Sequence, residues 1–445
     1  MKNKDIGRRE FLTNSTWAAI GLILPAPLTL LGKSSEDIIQ KSGDFLQKDR
    51  RSFLFPQAIP GVIPFKVNVP ESDISDLRKR LGNIRWPDKE LVGDWSQGVP
   101  LEATKKLVKY WKENYDWRKF ENQLNRFPQY KTRIDDVDIH FIHAKSPHKN
   151  ALPILLCHGW PGSIVEFIDV IERLTDPPRF GGKAEEAFHV IVPSMPGFGF
   201  SENPRDLGWN IPRIAKAYAH LMEEKLGCQN WVAQGGDFGS SVTHVLADMQ
   251  PKGLLAVHVN LPFVVPETYP ENPTHEEQKA IENIERYINK KAAYADIMNT
   301  RPQTIGYALD DSPLALATFI YEKFAEWTDN KGKPEDALTL DQMLNDISLY
   351  WFTKTGTSAS RLYWESVGNT IRNHKFFSAE TGIIKIPMAA TLFPAETFAP
   401  PKKWAEAAWS DIFYWNHVDK GGHFAAFEEP DIFAKEMWKV FQSFR

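Results

Sequence analysis

An aspartate lies in a turn that could present its side chain for nucleophilic attack. The segment Gln234–Ser240 reads QGGDFGS and stands between a predicted buried strand and a predicted helix. Its closely spaced glycines permit a crowded strand-to-helix turn that places the central side chain at the end of the strand. A Gly-flanked aspartate is common in ordinary turns, but this position between strand and helix favours a nucleophile elbow that carries Asp237.

A carboxylate nucleophile narrows the chemistry of such a turn. A serine that attacked an alkyl carbon would form an ether, which water cleaves poorly. A carboxylate that attacks the same carbon forms an ester, and water can then attack the ester carbonyl. Asp237 therefore predicts displacement at carbon, on an epoxide or an alkyl halide, and it disfavours serine-esterase activity.

A second glycine-rich loop could supply an oxyanion hole. The sequence HGWPGS at 158–163 follows an earlier apolar run. In a strand–elbow–helix architecture, this loop provides one backbone N–H and the residue after the nucleophile provides the other. These donors would be the amides of Trp160 and Phe238.

A histidine and an acid complete the constellation in the order nucleophile, acid, histidine. His423 lies between the last predicted strand and the last predicted helix, and it is the predicted general base. Glu396 follows the penultimate predicted strand and would orient the histidine. Asp411 and Asp419 are alternatives for the acid, and Asp411 is less well placed because it precedes the final strand.

These residues require an α/β framework to position them. From residue 151 onward, short apolar runs alternate with amphipathic helices, which predicts a mostly parallel sheet covered by helices. A largely helical segment interrupts the alternation and predicts an inserted cap, and residues 62–150 predict a separate subdomain of helices and a strand meander. We therefore predict six segments. They are a signal segment at 1–32, a linker at 33–61, an N-terminal domain at 62–150, the first part of the core at 151–265, the cap at 266–380 and the second part of the core at 381–445.

Residues 1–32 are predicted to be an export signal outside the fold. Arg8 and Arg9 directly precede an apolar run that ends near Leu31. The run is shorter than the ~20 residues of a membrane-spanning helix. The paired arginines resemble a twin-arginine signal, so we expect recognition by the twin-arginine export machinery and delivery to a bacterial periplasm. No clear cleavage site follows, which leaves open an uncleaved membrane tether.

Composition excludes several classes of protein. The chain has 445 residues, of which 42% are hydrophobic and 25% charged, with a formal net charge of −4. These values are typical of globular domains and exclude disorder as the dominant state. The balanced charge gives no basic footprint for nucleic acid. Two cysteines, Cys157 and Cys228, are too few for a disulfide framework or a four-ligand zinc site.

Three motifs together resemble those of the microsomal-type epoxide hydrolases. They are HGWPGS at 158–163, GGDFGS at 235–240 and GGHFAAFEEP at 421–430. The resemblance extends upstream to that family's N-terminal domain and covers about residues 62–440. It implies an α/β-hydrolase core with an inserted helical cap. It also implies conversion of an apolar epoxide and water to a vicinal diol through an aspartyl ester, without a cofactor or metal.

The resemblance further implies two cap tyrosines that hydrogen-bond and protonate the epoxide oxygen. Tyr363, within RLYWE at 361–365, matches one of them. Tyr294 matches the other, with Tyr287 and Tyr307 as alternatives for that position. The chain departs from the family in two respects: a signal-like segment replaces the membrane anchor of mammalian members, and Phe238 stands where tryptophan is frequent.

Two other functions fit parts of the same pattern. A haloalkane dehalogenase shares the Asp–His chemistry but binds halide through indole or amide donors instead of paired tyrosines. A non-catalytic relative that binds a lipophilic ligand would commonly lack the nucleophile or the histidine, and both residues are present here. The sequence leaves the physiological epoxide, its enantiopreference and the oligomeric state undetermined.

Overall fold

A computed structural model describes residues 60–266, 268–368 and 383–445. The predicted signal segment 1–32 and nearly all of the predicted linker 33–61 lie outside the described residues. Within those residues the strands form a single nine-stranded sheet. The strands are β1 Val62–Phe65, β2 Gln129–Ile134, β3 Val137–Ala144, β4 Leu152–Cys157, β5 Phe188–Pro193, β6 Trp231–Gly235, β7 Leu254–Val259, β8 Met388–Leu392 and β9 Ile412–His417.

The sheet has the strand order β1-β2-β3-β5-β4-β6-β7-β8-β9. All pairs among strands β4 to β9 are parallel, whereas the pairs β1–β2, β2–β3 and β3–β5 are antiparallel. Strands β4 to β8 are almost entirely buried, as expected for a sheet covered on both faces, whereas the edge strand β9 is only partly buried. The predicted α/β class with a mostly parallel sheet is therefore confirmed.

The N-terminal segment differs from its prediction as a separate subdomain. Its strands β1 to β3 extend the central sheet, because β3 pairs with β5 through residues 141–144. The sheet therefore continues across the predicted boundary at residue 150. The segment also contains three helices, which are α1 Glu71–Leu81, α2 Leu101–Glu113 and α3 Trp117–Leu124.

The helices of the core pack in two groups. They are α4 Ile168–Thr175, α5 Ile211–His220, α6 Phe238–Met249, α13 Lys402–Glu406, α14 Ala425–Glu428 and α15 Pro430–Val440. Helix α4 packs against α15, and α5 packs against α6. Right-handed crossovers explain this division, because the chain moves one way along the sheet from β4 to β5 and the other way from β5 to β7.

The predicted helical cap lies between β7 and β8, and its described part is confirmed as helical. Its helices are α7 His275–Lys290, α8 Ala293–Thr300, α9 Pro302–Asp311, α10 Pro313–Trp327, α11 Leu340–Thr353 and α12 Gly356–Tyr363. The N-terminal segment supports the cap directly. The Trp111 indole of α2 donates to the Ser348 hydroxyl of α11 at 2.9 Å, and the Tyr115 hydroxyl donates to Asn345.

No helix within the described ranges has both the length and the apolar character needed to cross a membrane.

Two glycines allow β4 and the β6–α6 turn to approach each other. A Cβ added to Gly239 would lie 1.9 Å from the Cys157 carbonyl oxygen, and one added to Gly159 would lie 2.3 Å from the Asp237 Cβ. Contacts this short cannot form between real side chains and backbone. The loops after β4 and β6 can therefore lie side by side only when both positions are glycine.

Replacing Gly239 with alanine tests this constraint. The added methyl group collides with backbone, which side-chain movement cannot relieve. We expect Gly239→Ala to lower the free energy of unfolding by about 3 kcal/mol or more. Urea unfolding followed by circular dichroism measures this change.

Gly236→Ala is the matched control in the same turn. Its added Cβ would have Asn260 Cβ as its nearest neighbour, at 3.9 Å. The free energy of unfolding should therefore change by less than about 1 kcal/mol. If Gly239→Ala were as stable as this control, the two loops would have room to separate and the constraint would not exist.

Candidate active site

The strand register brings the two predicted loops together. Cys157, the last residue of β4, pairs with Gly235, the last residue of β6. Because the strands are parallel, the segments that follow them leave the same edge of the sheet. The oxyanion loop and the elbow are thus adjacent, as open α/β sheets generally arrange their sites.

Asp237 occupies a strained backbone conformation at the elbow. Its φ is 51° and its ψ is −128°, in the positive-φ region that few residues other than glycine adopt. It immediately precedes helix α6, so its side chain stands beside the helix N-terminus and the oxyanion loop. The backbone N–H of Trp160 donates to Asp237 Oδ1 at 2.9 Å.

The structure shows a contact with the Asp237 carboxylate for only one of the two predicted oxyanion donors. The Trp160 amide already contacts the aspartate carboxylate. Phe238 is the first residue of α6, and its ring packs edge-on against Tyr363 with centroids 4.6 Å apart. The position of its amide, directly after Asp237, fits the second donor, and this role stays a prediction.

His423 links Asp237 to Glu396. Its Nε2 lies 3.4 Å from Asp237 Oδ2, and its Nδ1 lies 2.7 Å from Glu396 Oε1. Its backbone N–H donates to the Trp327 carbonyl at 2.9 Å, which ties the histidine loop to the cap. The structure thus brings together the three side chains predicted as nucleophile, base and orienting acid.

Glu396 is the acid that contacts the histidine. It follows β8 by four residues, and its side chain is 1% exposed. The alternative Asp411 is exposed and stands before β9, at the opposite edge of the sheet.

The surrounding charges favour a protonated histidine. Burial alone would lower the pKa of His423, but the carboxylates of Glu396 and Asp237 outweigh burial and raise this pKa well above its usual value. At neutral pH the resting site therefore holds an imidazolium between two carboxylates.

The two predicted cap tyrosines lie beside this constellation. Tyr294 and Tyr363 are both buried, and their ring centroids are 5.9 Å apart. Burial raises the pKa of both hydroxyls well above the usual value, so both are protonated donors at neutral pH. Of the alternatives, Tyr307 is 71% exposed and takes no part. Tyr287 forms a hydrogen bond of 2.6 Å between its hydroxyl and that of Tyr294.

Aromatic rings form the walls around the reacting groups. The Trp160 indole stacks on Tyr294 at 4.9 Å and meets Tyr363 and Phe319 edge-on at 5.7 and 5.6 Å. Trp327 packs against the His423 ring at 4.9 Å. An apolar surface of this kind suits a largely hydrocarbon ligand.

Sequence reasoning missed residues that lie behind the site. Asp346 accepts a hydrogen bond of 2.6 Å from Ser163 Oγ and supports the oxyanion loop; burial raises its pKa to about 8. Lys323 is fully buried in the cap, beneath Tyr294. Their positions depend on how the cap helices are rotated, and no local motif signals that rotation. Within the described ranges, no group of three or more His, Cys, Asp or Glu side chains is arranged to hold a metal ion.

Comparison with known proteins identifies the family of the chain. Residues 62–167 match the family model for the epoxide hydrolase N terminus, and residues 153–430 match that for the alpha/beta hydrolase fold. A Stigmatella aurantiaca (strain DW4/3-1) protein whose name assigns it to the epoxide hydrolases is 53% identical over 86% of each chain. Epoxide hydrolase 1 of Sus scrofa is 34% identical over 84% of this chain and 87% of its own.

A solved structure shows the same similarity. The epoxide hydrolase of Aspergillus niger superposes with a TM-score of 0.77 at 30% identity, covering 88% of this chain and 99% of its own. The protein is a hydrolase that acts on epoxide rings, and it belongs to the epoxide hydrolase family of the α/β-hydrolase fold.

Proposed function

We propose that this epoxide hydrolase works through a covalent ester on Asp237 and acts on an apolar epoxide. The observation that carries the proposal is the position of the Asp237 carboxylate, with the Trp160 amide on one oxygen and His423 on the other side. Such a carboxylate has a donor in place for one oxygen, which becomes the carbonyl oxygen of the ester, while the other oxygen can attack. The same amide can then stabilise the tetrahedral intermediate of ester hydrolysis.

The first step is attack of Asp237 Oδ2 on the less hindered ring carbon. The C–O bond of the epoxide breaks as the ester bond forms, and the developing alkoxide takes a proton from the cap tyrosines. Tyr294 and Tyr363 are suited to this role because both are protonated and lie side by side. Without such donors, the step would expel a strongly basic alkoxide into an apolar pocket.

The second step uses a change in the charge around His423. Ester formation converts Asp237 from an anion to a neutral group, which removes one of the two carboxylates that raise the histidine pKa. That pKa therefore falls, and the imidazolium can release its proton, which returns through water to the tyrosinate left by the first step. His423 is then a neutral base that takes a proton from water as the water attacks the ester carbonyl, and it passes this proton to the departing diol oxygen. The carboxylic acid formed on Asp237 then protonates His423, which restores the resting charges.

The aromatic walls support an apolar substrate. Trp160, whose amide contacts Asp237, packs its ring against Phe319 and Tyr363, and Tyr363 packs against Phe238. This ring cluster offers contact area but few hydrogen-bonding groups. Burial of hydrocarbon against these rings contributes binding free energy of about 25 cal/mol per Å². We therefore assign the polar contacts mainly to the epoxide oxygen.

A histidine variant should trap the ester. Attack by Asp237 needs no base, whereas hydrolysis does. We expect His423→Gln to form a covalent adduct with styrene oxide and to release diol at least ~100-fold more slowly than the wild-type chain. Intact-protein mass spectrometry should show an increase equal to the mass of one epoxide.

The double variant Asp237→Asn/His423→Gln is the control. It keeps the volume of the aspartate but lacks the attacking carboxylate, so no adduct should form. Absence of an adduct in His423→Gln itself, under conditions where the wild-type chain turns over, would contradict the covalent route.

The acid next to the histidine can be tested by its effect on the histidine pKa. Glu396→Gln removes one of the two carboxylates beside His423, so the pKa of His423 should fall toward its usual value. Ring ¹⁵N chemical shifts of the histidines, recorded against pH, measure this directly. The comparison variant is Asp419→Asn, which changes the alternative acid and should leave the His423 pKa in place. An unchanged pKa in Glu396→Gln would show that Glu396 is not the charged partner.

A further inference from the structure

A buried cation lies behind one of the two cap tyrosines. Lys323, on helix α10, has a side chain that is 2% exposed. Its Nζ stands 4.7 Å from the ring centroid of Tyr294 and 5.4 Å from that of Trp327. Both distances lie within the ~6 Å range of a cation–π interaction. The ammonium thus faces the ring of one of the two proposed proton donors.

Burying this ammonium costs desolvation free energy, which argues that the residue does more than fill space in the cap. Its charge is paired with Glu322 Oε1 at 2.6 Å and Glu326 Oε2 at 2.8 Å. Those two carboxylates are 32% and 26% exposed, so water screens them more than it screens the buried ammonium. A methionine could fill the same space without the desolvation of a charge.

We propose that Lys323 is a positioning residue for epoxide opening, which acts by stabilising negative charge on the Tyr294 ring as that tyrosine gives up its proton. A cation over the face of a phenol interacts more favourably with the phenolate than with the neutral phenol, because the ring then carries negative charge. The inference rests on the proposed role of Tyr294 as a proton donor. It adds a residue that tunes the strength of that donor without touching the substrate.

The other groups that face Tyr294 do not stabilise its phenolate. Burial raises the pKa of Tyr294, and the nearby Tyr363, Tyr287 and Asp237 raise it further. Each of these influences weakens the hydroxyl as an acid. Among the described residues, Lys323 is the cation that lies over this ring, and its ammonium is paired with Glu322 and Glu326. Its charge therefore opposes the effect of burial.

Tyr287 has a complementary effect on the same hydroxyl. Its own hydroxyl lies 2.6 Å from that of Tyr294, and this hydrogen bond restrains the position of the Tyr294 oxygen. Lys323 below the ring and Tyr287 beside the oxygen thus hold one donor from two sides. Trp160, stacked on the Tyr294 ring at 4.9 Å, limits its movement further.

A double-mutant cycle tests the inference on the full chain. The variants are Lys323→Met, Tyr294→Phe and both together, and the measurement is the single-turnover rate of ester formation with styrene oxide, followed by tryptophan fluorescence. Lys323→Met should slow ester formation about 10-fold, which lies within the range expected for the loss of a cation–π contact. In the Tyr294→Phe background it should cause no further loss, because its effect requires the hydroxyl.

A charge-conserving variant separates this role from a structural one. Lys323→Arg keeps the cation and should form the ester at close to the wild-type rate, whereas Lys323→Gln, which is polar but uncharged, should be as slow as Lys323→Met. Lys290→Met, which removes an exposed lysine of the cap, should leave the rate of ester formation unchanged.

Two results would overturn the inference. They are equal losses of rate from Lys323→Met with and without the Tyr294 hydroxyl, or the same loss of rate in Lys323→Arg as in Lys323→Met. If the methionine variant does not fold, Lys323→Gln with Glu326→Gln removes the cation and one of its carboxylates together and is tested in the same way. If Tyr294→Phe alone forms the ester at the wild-type rate, then the proposed donor role of Tyr294 has failed, and the inference falls with it.

Discussion

The close approach of two loops at one edge of the sheet is the constraint on which the site depends. Glycine at 159 and 239 lets the backbone after β4 touch the turn after β6. Only then does the Trp160 amide reach the Asp237 carboxylate at 2.9 Å. The positive φ of Asp237 is maintained because the strand before it and helix α6 after it are both fixed by the core. The fold therefore holds a reactive carboxylate in position before substrate arrives.

In the ester route that we propose, the charge balance around one histidine determines the order of events. Two carboxylates stand beside His423 in the resting protein, and alkylation of Asp237 would neutralise one of them. In this route the imidazole is protonated while the ring opens and becomes a base once the ester exists. This order would avoid premature activation of water, because the base is generated by the product of the first step. The role that we propose for the cap is at the other end of the reaction, where Tyr294 and Tyr363 would protonate the developing alkoxide.

Much of this site could be predicted from the sequence because its parts lie in local motifs. Asp237, Trp160, Glu396 and His423 each follow a strand, and parallel strands bring their carboxyl ends to one edge whatever the details of packing. The association of β3 with β5 was not predicted, since an antiparallel edge pairing joins residues that are distant in the chain. The contacts of Lys323 and Tyr287 with Tyr294 were missed for a related reason. They depend on the rotation of helices α7 and α10 about their axes, which tertiary packing determines.

The most direct test of the account is a single turnover in heavy-oxygen water, with enzyme in excess over styrene oxide. In the ester route, water attacks the carbonyl carbon of Asp237, and the diol takes its second oxygen from the aspartate. The account predicts label in the peptide that carries Asp237 and unlabelled diol from the first cycle. Label in that first diol, with none in the peptide, would show that water opens the ring directly and would contradict the account.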